Sequence, residues 1–273
     1  MLVSANGGVK AVLEDRFSQI EFVDIPFMEI TYPKDGNMVK HFIVKGFSLV
    51  KSIWQEHQIL QKLIRERNID LVISDSRFGL WTSKAKCIFV THQVQIMSPV
   101  FQGLINRLNR WVVSRYDEVW IPDYEKAPGL AGDLSHPHRL PINARYIGPL
   151  SRFEVPLVKK PIKWDAIAII SGPEPQRSLF EAELTRRFIE SGKPALIVQG
   201  KPDEPRDQQI DNLRVVNHLD DTKVLEELAQ AEKVISRSGY SSIMDYHVLE
   251  IEAELHPTPG QTEQEFLAQL HGS

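Results

Sequence analysis

The chain has 273 residues and a mass of 31.2 kDa, room for one large or two modest domains. Its 32 Lys and Arg against 36 Asp and Glu give a net charge of −4, which excludes the basic surface that nonspecific nucleic-acid binding requires, and 42% apolar residues exclude disorder. The lone cysteine, Cys87, excludes an internal disulfide and a Cys-based zinc site, and no apolar run is long enough for a membrane-spanning helix.

In chain order, Met1 to Gly8 lacks the basic-then-apolar pattern of a signal peptide. Lys51 to Asn68 is amphipathic, with Ile53, Ile59, Leu60, Leu63 and Ile64 near one face, and predicts a helix. Leu71-Val72-Ile73-Ser74 and Ile88-Phe89-Val90-Thr91 predict strands, with Cys87 as a buried thiol in the second. Asp75 and His92 follow these strand ends. His92 is a candidate general base, against the plainer reading of a hydrogen-bonded histidine; Asp75 with Arg77 reads as a turn ion pair. Arg107, Arg110 and Arg115 lie along a predicted helix with Leu104, Ile105, Leu108, Trp111 and Val112: a solvated face, or a peripheral contact with an anionic membrane. Glu118 to Ile121 predicts the next strand, and His136-Pro137-His138 reads as a loop rather than a metal site.

Residues 148–164 mark a composition shift, with Pro156, Lys159, Lys160 and Pro161 in a linker. Strands follow at Ala166–Ile170, Ala195–Val198, Leu213–Val216 and Lys233–Ser236. Helices are predicted at Leu179–Ser191, stopped by Gly192, and at Leu225–Ala231 after the capping pair Asp220-Asp221. The alternation is that of βαβ units, hence an α/β fold of two domains, 1–150 and 164–273, joined by 151–163. Ligands then belong at the carboxyl ends of the strands.

Three segments sit where such a ligand would lie. Ser236-Arg237-Ser238-Gly239-Tyr240-Ser241 ends a strand and opens a helix, so free amides, the helix dipole and small hydroxyls favour phosphate; Asp245, one turn on, suits sugar hydroxyls. No lysine completes a Walker motif, and a plain capped turn remains the alternative. Ser171-Gly172-Pro173-Glu174-Pro175-Gln176-Arg177 is a rigid loop or a ligand loop. Pro257 to Glu265 is a fixed turn in which Thr262 caps the last helix or polar amides read a sugar.

These segments, with Ser74-Asp75-Ser76-Arg77-Phe78-Gly79, Thr91-His92-Gln93, Leu134-Ser135-His136-Pro137 and Tyr146 to Phe153, resemble a bacterial branch of the family 28-type glycosyltransferases. That group has the GT-B fold, two Rossmann-like domains facing a cleft, and includes the peptidoglycan N-acetylglucosaminyltransferase that acts on lipid-linked acceptors. The resemblance implies a metal-independent hexosyltransferase using a nucleotide diphosphate sugar, a UDP-sugar, as donor substrate and no further cofactor. The acceptor would be a lipid-linked molecule or a glycan, and the location cytoplasmic, at the inner membrane face where the acceptor is a lipid. By position it implies Ser171 and Gly172 on the diphosphate side, Arg237, Ser238, Gly239, Tyr240 and Ser241 as the phosphate site, Asp245 on the ribose, His218 and Leu219 at the base, and Gln264 and Glu265 at the donor sugar. His92 and Asp75 are then the catalytic candidates of the first domain.

The chain departs from the family's pattern in lacking its first strand and Gly-His loop and in ending soon after Gln264, so it reads as truncated at both ends. Glu252, Glu254 and His256 alternate with Ile251, Ala253 and Leu255, which suits an edge strand or a poorly formed one. Two alternatives stand beside transfer: a degenerate relative that binds nucleotide sugar without turnover, and a nucleotide-sugar epimerase using Glu174 or Glu263.

Overall fold

The computed structural model describes residues 1–5, 7–17, 19–26, 38–201 and 206–272. The elements run β1 (Leu2–Val3), α1 (Gly7–Arg16), β2 (Glu21–Phe22), α2 (Met38–Arg67), β3 (Leu71–Asp75), β4 (Lys86–Val90), α3 (Gln102–Val113), β5 (Glu118–Ile121) and β6 (Ala144–Tyr146). They continue as β7 (Trp164–Ile169), α4 (Gln176–Ser191), β8 (Ala195–Val198), β9 (Asp207–Ile210), β10 (Leu213–Val216), α5 (Asp221–Ala229), β11 (Ala231–Arg237), α6 (Tyr240–Leu249), β12 (Ala253–His256) and α7 (Thr262–His271).

The chain divides into two compact units, a central one, Asp24–Leu150, and a C-terminal one that combines Ser151–Ser273 with Met1–Val23. The first 23 residues thus differ from the expected 1–150 division. One physical reason is the ion pair of Arg16 with Asp221 at 2.7 Å. The expected linker is also not loose. Phe153 is buried in the C-terminal core, and the amides of Leu157 and Lys160 donate to the carbonyls of Leu249 and Ala229 at 3.0 and 2.8 Å.

In the C-terminal unit the six strands lie in the order β12-β11-β7-β8-β10-β9, all parallel except β9. Alternate residues of the inner strands feed two separate cores. Ala166, Ala168, Ile197 and Ile235 meet Phe180, Leu184 and Phe188 of α4 on one face. Ile167, Leu196, Val216 and Val234 meet Val224 and Leu228 of α5 and Tyr246 and Leu249 of α6 on the other. Covering both faces is why these strands read as unbroken apolar runs. Strand β12 lies at the sheet edge, where Glu254 pairs with Arg187 at 2.7 Å and with His256 Nε2 at 2.7 Å. The edge lets its carboxylates keep partners and water.

Two helix ends follow the sequence: Gly192 closes α4 with φ 65°, and the Asp220 side chain accepts from Lys223 N at 2.9 Å to cap α5. A third does not. Gln261, not Thr262, precedes α7 as its cap residue, without a side-chain capping bond, and Glu265 reaches back to Gly260 N at 3.0 Å.

The central unit holds a parallel sheet ordered β3-β4-β5-β6. Helix α2 buries Glu56, Leu60 and Ile64, one residue per turn. A carboxylate in that stripe is accounted for by its partners: Glu56 accepts from Arg77 Nε at 3.2 Å and Gly79 N at 3.0 Å. A Cβ at Gly79 would stand 2.6 Å from the Glu56 Cβ, so the loop after β3 can approach α2 this closely only with glycine. The expected Asp75–Arg77 pair is therefore replaced by Arg77–Glu56, with the second arm of Arg77 donating to the carbonyls of Ile25 and Pro26.

Candidate functional site

Strands β7, β11 and β12 are neighbours and parallel, so the loops at their carboxyl ends emerge side by side. Arg237 ties all three together. It closes β11, and its guanidinium donates to Pro257 O, after β12, at 2.8 Å and to Gln176 O, beyond the β7 loop, at 3.0 Å. The group lies 4.0 Å from the centroid of Phe180. The residue is only 6% exposed, its Nε is buried without a partner, and desolvation depresses its pKa. The resemblance assigns this arginine to the phosphate site; in the structure its terminal nitrogens bond main chain, because carbonyls at the ends of the loops need donors in a dry interior.

Other expected contacts also point inward. Ser238 is fully buried and its hydroxyl donates to Gln264 O at 2.7 Å. The Gln264 side chain accepts from Thr258 N at 2.8 Å, so with Glu265 it fixes the Pro257–Gln261 turn rather than lying open to a sugar. Asp245 is engaged as well: Oδ1 accepts from Ser151 Oγ at 2.7 Å and Oδ2 from Arg152 Nε at 3.0 Å. Arg152 reaches on to Asp221 at 3.0 Å. Asp245, which the resemblance assigns to the ribose, fastens the incoming chain to α6 in this structure. Tyr240 is buried and Leu219 packs against the core, so neither presents an open side chain.

What remains open is a small rim. Ser171, Gly172, Ser241 and His218 are exposed, and Gly239 is half-buried. Gly172 has φ 105°, and a Cβ there would lie 3.9 Å from the hydroxyl oxygen of Thr258, a buried group without a partner. Helix α6 starts at Gly239 without a side-chain cap, so the first-turn amides of Ser241 and Ser242 have no intrahelical acceptor. An anion placed there meets amides and the positive end of the helix dipole. His218 follows β10, the other side of β8 from β7.

In the central unit, Asp75 is exposed and takes the Ser76 hydroxyl at 3.3 Å, and His92 is half-buried past β4. The loop after His92 is held by two asparagines that the sequence reading missed. Asn106 pairs with Ile96 through both main-chain groups at 2.8 Å, and Asn109 donates to Val94 O at 3.1 Å. Among the described residues, no group of three or more His, Cys, Asp or Glu is placed to hold a metal ion.

Solved structures align along nearly the whole chain. SnogD, a glycosyltransferase from Streptomyces nogalater, matches 98% of this chain and 77% of its own at 16% identity and a TM-score of 0.59. UGT89C1 of Arabidopsis thaliana, complexed with UDP-L-rhamnose, matches 98% and 74% at 13% identity and 0.55. The chain has the GT-B fold. MurG of Acinetobacter baumannii aligns over 98% and 73% at 12% identity and a TM-score of 0.50. No protein-family model and no curated protein matches the sequence.

Proposed function

We propose that this chain is a glycosyltransferase of the family 28 type, from a bacterial branch, that uses a nucleotide diphosphate sugar, a UDP-sugar, without a metal. The observation that carries the reading is the uncapped start of α6 beside the exposed Ser171-Gly172 turn, on neighbouring parallel strands. Diphosphate oxygens would take the Ser241 and Ser242 amides and the Ser171 hydroxyl, while the helix dipole offsets the charge of the leaving diphosphate. Gly172 leaves room for that group, and exposed His218 is assigned the base end of the nucleotide. His92 is assigned the general base that takes the acceptor's hydroxyl proton, with Asp75, the last residue of the adjacent strand β3, as the acidic candidate beside it. The acceptor is a lipid-linked molecule or a glycan.

The test is a thermal melt with UDP, GDP and dTDP, repeated on Ser241→Asp. An acidic residue in the first turn suits the helix but repels phosphate, so the variant should keep its Tm and lose the UDP-dependent rise. A cooperative wild-type melt that no nucleotide shifts would overturn the donor site. A UDP shift with no transfer in an acceptor screen would favour the non-catalytic relative.

A further inference from the structure

The sheet of the C-terminal unit has two edges, and they are finished differently. At β12 the Glu254 carboxylate is held between Arg187 and His256, and such charge discourages a further strand. At the other edge β9 pairs only with β10, and its one carboxylate, Asp207, is turned back onto Arg214 of β10 at 2.8 Å. Asn217 N donates to Arg206 O at 2.9 Å, so by alternation Arg206, Gln208 and Ile210 turn their main-chain groups toward β10. The N–H and C=O groups of Asp207 and Gln209 then point off the edge of the sheet.

Beside this edge lies a groove of about 670 Å³, with Ser178, Ala182 and Thr185 of α4 on one side and Gln199, Lys201 and Arg206 on the other. Gln208 and Ile210 face the same way as Arg206, and Ile210 packs on the core beneath α4. The hairpin turn fastens β9 to the end of α4, where Asn212 Nδ2 donates to Phe188 O at 2.7 Å. Charge along the groove does not cancel. Glu181 is taken by Arg177 at 3.5 Å and by Gln199, and Arg186 by Glu190 at 3.2 Å. Lys201 and Arg206 are left over: among the described residues neither meets a carboxylate, and the Arg206 guanidinium bonds the neutral Gln208 amide at 2.8 Å.

We propose that β9 and this groove take an extended peptide, added to the sheet antiparallel to β9 and acidic at its C-terminal end. Its main chain exchanges hydrogen bonds with Asp207 and Gln209, and its alternate side chains drop into the groove beside α4. Charge selects both the class of peptide and its direction. An antiparallel strand brings its C-terminal end to Arg206 and Lys201, whereas a parallel one would bring its N-terminal end, an ammonium where the terminus is free. A second copy pairing through its own β9 would set Gln208 against Gln208 and leave the cations uncompensated. The proposal needs neither a donor nor turnover and goes beyond the glycosyltransferase reading.

The experiment is selection by the full chain from a random peptide library displayed with free C-termini, followed by fluorescence anisotropy of the enriched peptides. Asp and Glu should be enriched at the last positions. Gln209→Pro removes one outward N–H at a sheet edge, where proline is tolerated, so it should keep the melt and bind about tenfold or more weakly. Gln209→Thr keeps that N–H and should bind like the wild type. The double variant Lys201→Gln, Arg206→Gln should also cost about tenfold. It leaves the main chain untouched and carries the test if proline disturbs the fold. No enrichment, enriched peptides without acidic ends, or a folded Gln209→Pro or double variant that binds like the wild type would overturn the proposal. So would a concentration-dependent doubling of mass that Gln209→Pro abolishes, which would assign the edge to a second copy.

Discussion

The C-terminal unit and the central unit solve the same problem, a parallel sheet, with different materials. The first sandwiches its inner strands between two apolar layers, with Ile167 and Ile197 on opposite faces. The second adds, to an apolar core that includes Ile88, Phe89, Val119 and Ile121, a set of buried polar side chains that stitch loops to the sheet, as Arg237 does at one place in the first. Glu56 holds the loop after β3, Asn106 and Asn109 hold the one after β4, and Asp123 holds the one after β5. Asp123 is fully buried and accepts from the amides of Tyr124, Leu130 and Ala131 and from Ser135 Oγ at 2.6 to 3.0 Å. The lesson is that a loop-rich unit can be specified by a few carboxylates and amides, each serving several main-chain groups, where a layered unit spreads the task over many methyls.

The sharpest way to break this contrast is Asp123→Ala. The substitution removes the acceptor that the buried amides of Leu130 and Ala131 share, so a loss of about 4 kcal/mol is expected. Hydrogen exchange at Leu130 and Ala131 reads it locally. Ile197→Ala, its counterpart in the layered unit, should cost about 3 kcal/mol and be felt throughout the six-stranded sheet. Exchange that rises in both units for either variant would mean the two are not energetically distinct. The smallest effect concerns the edge strand. Arg187, with His256 behind it, pulls the Glu254 carboxyl from 4.5 down to about 2. A depressed folded value stabilises above the ordinary carboxyl range, and that contribution fades as pH falls from 4.5 toward 2. The pair is substantially solvated, so the loss should stay below about 1 kcal/mol, and Arg187→Ala should flatten it in denaturant titrations across that window.

The layered unit was the more legible of the two. Runs such as Ala166–Ile170 and Ala195–Val198 announce strands covered on both sides, and Gly192 and Asp220 mark helix ends, because these signals are local. The alternation of Glu252, Glu254 and His256, which suits an edge strand or a poorly formed one, meets the edge position of β12. The polar stitches were not legible. Glu56 and Gly79 are 23 residues apart, and nothing in either neighbourhood distinguishes a buried glutamate from a solvated one. In helix α3 the periodicity identifies an apolar face, but the direction of that face depends on which loop needs its asparagines. Within the candidate site, glycines and strand ends could be located by position, whereas the inward engagement of Arg237, Ser238, Asp245 and Gln264 depends on three loops meeting.

The bonding of Arg237 carries an evolutionary consequence. A residue that joins the ends of three neighbouring loops serves the fold itself, whatever the site beside it binds. Folding alone favours Arg237, Ser238 and Tyr240, whose side chains are buried, whatever stands at Ser241. The open positions Ser171, Ser241 and His218, which no packing holds in place, can change without cost to the fold.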